Sequence, residues 1–109
     1  MSGFYRMDYM GTTGQAAGAV AIVNNKIAAL DIGGGQIVGT YTEEGDHLVG
    51  EISISIQGGG PLITGQNLAS GQSVKVPVKL PKSQLDGHVF MLPVGGQPVS
   101  VRLTKISDL

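Results

Sequence analysis

Two stretches of this chain alternate apolar and polar residues so regularly that they leave little freedom in its secondary structure. Val74, Val76, Val78 and Leu80 interleave with Lys75, Pro77 and Lys79. Leu48, Ile52, Ile54 and Ile56 interleave with Glu51, Ser53 and Ser55, and Gly50 falls in the apolar register. Successive side chains of a strand point to opposite faces, so a period of two sends one set to a core and the other to water. The expected core-facing set includes Val74, Val76, Val78, Ile52, Ile54, Val101 and Leu103. Glycine punctuates the runs. There are 18 in 109 residues, well above the ordinary share of roughly 7%. They cluster at Gly33-Gly34-Gly35 and Gly58-Gly59-Gly60 and stand singly at Gly18, Gly39 and Gly50. Single glycines inside strands mark bulges or close backbone approach, the devices that bend a sheet into a barrel.

Turn chemistry divides the chain into strands near residues 3–10, 16–23, 26–31, 36–43, 47–56, 73–80, 88–93 and 98–106. Asn24-Asn25 supplies a two-residue hairpin loop, because Asn tolerates the positive φ of a type I′ turn. Glu44-Gly45-Asp46 closes another tight hairpin, and Gly95-Gly96 joins the last two strands. Residues 57–71 are the least regular part, with brief pairing expected at 61–64 and one helical turn at 66–70. Residues 81–87 read as a short turn of helix stopped by Gly87. About eight strands at meander spacing, with no sustained helical period, predict an all-β, mostly antiparallel up-and-down barrel spanning residues 1–109 as one domain. Pro77 cannot donate to a ladder, so its strand is an edge or is bulged there. A barrel with one imperfect seam reconciles the two.

Composition narrows the function. Hydrophobic residues make up 41% and charged residues 14% of the chain, which excludes a disordered polypeptide. The net charge of -1 argues against nucleic acid as a partner, since phosphate contacts need concentrated Lys and Arg. Cysteine is absent, which removes disulfides and thiolate metal sites and fits a reducing compartment. The opening Phe4-Tyr5-Arg6-Met7-Asp8-Tyr9 lacks a basic segment followed by an apolar run, and no stretch reaches membrane-spanning length. A cytoplasmic protein without membrane contact is expected.

Catalytic and cofactor chemistry finds no anchor. Gly11, Gly14 and Gly18 lack the Lys-Ser/Thr pair and following helix of a phosphate loop. His47 and His88 have no ligand spacing for a metal, and no G-x-S-x-G elbow occurs. No enzyme activity, cofactor or metal is expected. A small barrel either fills with side chains or holds one small ligand. A packed interior is expected, because so short a chain has little volume to spare. A small apolar ligand inside the barrel is the alternative, and the absence of tryptophan disfavours an avidin-like biotin pocket. The densest charge cluster is Glu43-Glu44-Gly45-Asp46. It reads as a solvated hairpin tip or as an acidic prong for a basic partner.

Several segments resemble the GrlR-like family, small bacterial proteins related to the negative regulator of type III secretion. Gly3-Phe4-Tyr5 is similar to the family's G-x-Y start. Asn24-Asn25-Lys26-Ile27-Ala28-Ala29-Leu30-Asp31 resembles its N-G-x-I-x-G-G-D segment, with Ala29-Leu30 in place of the glycine pair and Asn25 in place of the turn glycine. Val38-Gly39-Thr40-Tyr41 resembles its glycine-containing strand, and Val101-Arg102-Leu103-Thr104-Lys105 its last strand. The resemblance implies a lipocalin-like, partly open eight-stranded barrel that forms a homodimer. It also implies regulation by binding and silencing a transcriptional activator through an acidic E-D-E-D loop. That loop falls on Glu43, Glu44, Gly45 and Asp46, with glycine at the third place. The expected function is therefore non-enzymatic regulation by protein contact, with Glu43, Glu44 and Asp46 as partner-binding residues.

Overall fold

Alternation dictates extended strands, and the turn residues dictate how they connect. The computed structural model describes residues 2–109. Strands β1 (Gly3–Gly11), β2 (Gly14–Val23), β3 (Lys26–Asp31), β4 (Gly35–Glu44) and β5 (His47–Ile56) form a meander. A small ribbon follows, made of β6 (Gly60–Pro61) and β7 (Asn67–Leu68). Then come β8 (Val74–Pro81), a 3₁₀ turn at Lys82–Gln84, β9 (Val89–Val94) and β10 (Gln97–Asp108). Eight strands make one sheet in the order β8-β5-β4-β3-β2-β1-β10-β9, and every neighbouring pair is antiparallel. Because β10 returns to β1, the sheet curls into a barrel. β8 and β9 approach each other without a hydrogen-bonded ladder, and that gap is the one seam. Pro77 lies on β8, one of its two edges, where a missing backbone donor is tolerated.

The hairpins take the conformations their residues favour. Asn24 and Asn25 sit at φ 51° and 62°, the positive pair that a type I′ turn requires. Gly45 opens the β4–β5 turn at φ 62°, the first-position glycine of a type II′ turn. The segment crossing the seam is tied down by Gly87 N–H donating to the Leu103 carbonyl at 2.7 Å and by Lys105 N–H donating to Asp86 Oδ1 at 3.0 Å. At residues 66–70 a strand pair replaces the expected helical turn. Asn67–Leu68 pairs with Gly60–Pro61, and Leu62 N–H donates to the Gln66 carbonyl at 2.7 Å. A lone helical turn leaves its end groups unpaired, whereas this ribbon pairs them and buries both Leu62 and Leu68.

Inward positions follow the period of two. Leu48, Ile52, Val76, Val78, Val101 and Leu103 are buried, with Val76 at 0% exposure. Ile54 and Val74, expected in the same set, are only half-buried, although both pack against the core. They lie towards one end of the barrel, where the interior is not filled. Truncation should therefore separate the two isoleucines of β5. Ile52→Ala is expected to cost about 2–5 kcal/mol, and Ile54→Ala less than half of that, as read by urea unfolding. Equal losses would contradict the half-open end.

Candidate functional site

The two ends of the barrel differ. At one end Tyr5, Tyr41, Leu48, Leu80 and Leu85 close the interior, each at 5% exposure or less. At the other end Tyr9, Ile37, Ile54, Ile63 and Leu92 are half-buried. Between them lies a cavity of about 410 Å³, within the range of ligand pockets, roughly 300–1,000 Å³. Its wall is almost wholly aliphatic, including Val20, Ile22, Ile27, Ile52, Val99 and Val101. The expectation of a packed interior is thus overturned. Ala16, Ala29 and Gly35 occupy wall positions on β2, β3 and β4, and their short side chains leave the volume that larger residues would take up.

The β6–β7 ribbon lies over the half-open end. Leu62 and Ile63 line the cavity, and the Ile63 carbonyl accepts from both Thr13 N–H at 3.1 Å and Thr13 Oγ1 at 2.7 Å. The β1–β2 turn therefore latches the cover. One polar pair interrupts the apolar wall beneath it. Asp31 ends the inward-facing series Ile27, Ala29, Asp31 on β3, and Tyr9 ends the series Tyr5, Met7, Tyr9 on β1. The Tyr9 hydroxyl donates to Asp31 Oδ2, and Gly35 N–H donates to Asp31 Oδ1 at 2.7 Å. Burial, and then the hydrogen bond to Asp31, push the Tyr9 phenol well above its usual range, so it remains a protonated donor. A β-carbon at Gly35 would collide with the Asp31 carboxylate, so the glycine leaves room for the pair.

Asp31 and Tyr9 were not singled out by sequence reasoning. The signal was available, because Asp31 stands in the same alternating register as Ile27 and Ala29, and a lone carboxylate on a core face is unusual.

Glu43, Glu44 and Asp46 are all exposed at the β4–β5 hairpin, as expected from the sequence. Glu43 is ion-paired to the 3₁₀ turn. Lys82 Nζ stands 2.9 Å from Glu43 Oε1 and holds that carboxyl below its usual range. Thr42 Oγ1 donates to Glu44 Oε2 at 3.1 Å, and Lys82 N–H donates to the Asp46 carbonyl at 2.8 Å. The hairpin is docked on the 3₁₀ turn beside the seam. No family model, curated protein or solved structure matches the chain.

Proposed function

We propose that this protein is a non-enzymatic binding protein whose barrel interior takes up a small apolar molecule. The observation that carries this reading is the aliphatic cavity of about 410 Å³ beneath a latched cover. Pockets of about 300–1,000 Å³ hold small organic ligands, so the space suits an alkyl chain or a small fused-ring body. Burial of the apolar body supplies the affinity, at about 25 cal/mol per Å² removed from water. The test is titration with N-phenyl-1-naphthylamine, which fluoresces on entering an apolar site, followed by displacement with decanol. Saturable binding reversed by decanol is expected. Failure of both the dye and decanol to bind would remove the ligand reading.

A second reading keeps regulation by protein contact in the cytoplasm, as the resemblance to the GrlR-like family implies, with a homodimer as the acting form and a transcriptional activator as its target. Support comes from the outer face of β3 and β4, where Leu30 and Val38 are 58% and 61% exposed and Ala28 stands opposite Val38. Apolar side chains grouped on an outer sheet face mark interaction surfaces, and a two-fold mate covers such a patch with its own copy. Leu30→Glu with Val38→Glu is expected to convert a dimer to monomer in light scattering at micromolar concentration. A native protein that is already monomeric there would contradict this reading.

A further inference from the structure

The ligand reading leaves open what chemistry the head of the ligand carries, and the polar groups at the half-open end answer it. Among the cavity-lining residues the side chains with hydrogen-bonding groups are Tyr9, Thr13 and Asp31, and no Lys, Arg or His is present. Both hydroxyl protons are already committed: Tyr9 donates to Asp31 and Thr13 to the Ile63 carbonyl. Asp31 is different. A carboxylate offers about four acceptor positions, and two are taken, by Tyr9 and by Gly35 N–H. The side chains at this end therefore present acceptors, and a single negative charge, to whatever enters.

We infer that the cavity selects ligands whose apolar body ends in a hydrogen-bond donor, a primary amine above an alcohol, with Asp31 receiving the donor. This inference rests on the ligand reading and sharpens it. A carboxylate head finds neither a cation nor a free hydroxyl donor among these side chains and meets a like charge. An alcohol donates one hydrogen bond to Asp31. An ammonium donates up to three and is attracted by the charge as well, and charge-assisted bonds are roughly twice as strong as neutral ones. Tyr9 holds the Asp31 carboxylate at the wall.

Decylamine, decanol and decanoate share one apolar body and differ only at the head. Displacement of N-phenyl-1-naphthylamine from the unsubstituted protein at pH 7 is expected to rank them in that order, with at least a tenfold difference in midpoint between decylamine and decanoate. In Asp31→Asn, decylamine is expected to lose at least fivefold while decanol changes less than twofold. In Tyr9→Phe, which keeps the carboxylate, the amine preference should survive. Equal displacement by all three compounds, or a decanoate preference, overturns the inference while leaving the apolar cavity in place as a binding site. Retention of the full amine preference by a folded Asp31→Asn, as judged by circular dichroism, overturns it too. The ranking in the unsubstituted protein decides the matter even where a variant fails to fold.

Discussion

Gly50→Val is expected to abolish the native fold. Gly50 faces inward on β5 and pairs with Tyr41 on β4. A β-carbon there would collide with the Thr40 carbonyl oxygen and stand 2.8 Å from Tyr41 Cα. Both are backbone atoms, so no side chain can swing aside, and relief requires prising β4 from β5. Gly39 on β4 is held in the same way against the backbone of Glu51 and Ile52. These glycines let adjacent strands fold sharply towards each other, and that curvature turns a flat ribbon of strands into a barrel. A strained core position of this kind costs more than about 4 kcal/mol, a large part of the roughly 5–15 kcal/mol that stabilises a small domain. Urea unfolding followed by circular dichroism should show no cooperative transition, or one at much lower urea. Ser53→Val, outward on the same strand, should change stability by no more than about 0.5 kcal/mol. A native-like transition in Gly50→Val would remove glycine from the account of curvature.

Ala29→Phe is expected to remove ligand binding while retaining the fold. Ala29 is half-buried on β3, faces the cavity and packs against the core. A phenyl ring at that position occupies the space the ligand needs. Because the interior is hollow, the added atoms meet open volume before they meet the opposite wall. The stability cost should therefore not exceed the usual overpacking range, about 1–3 kcal/mol. Affinity for N-phenyl-1-naphthylamine should fall at least thirtyfold. Ala28→Phe, one residue away and exposed on the outer face, should bind as the unsubstituted protein does. A packed interior gives a different pattern, in which Ala29→Phe unfolds the protein and neither protein binds the dye.

The fold was legible because its determinants are local. Period two named the inward faces of β5, β8 and β10, Asn24-Asn25 named a turn type, and Pro77 named a seam strand. Each needs only neighbouring residues. The ribbon of β6 and β7 was not legible in the same way, because its pairing is decided by burial of Leu62 and Leu68 against a barrel that the local sequence does not contain. The cavity was missed for a related reason. Alternation says which residues face inward, but whether their volumes fill the space depends on the radius of the closed sheet. Ala16, Ala29 and Gly35 are unremarkable one at a time and leave a hollow only when brought onto one wall. The acidic hairpin was correctly placed at a tip, yet the pairing of Glu43 with Lys82 joins positions far apart in sequence. The Tyr9–Asp31 pair likewise joins β1 to β3, although each residue's inward direction could be read from its own strand.

The central claim is that the barrel encloses an apolar space able to accept a ligand. A crystal structure of the protein grown with decanol tests it most directly. The account predicts density for the alkyl chain between Val20, Ile52 and Val101, with the hydroxyl within hydrogen-bond distance of Asp31. An interior closed by inward-collapsed side chains, with decanol absent from it, would contradict the account.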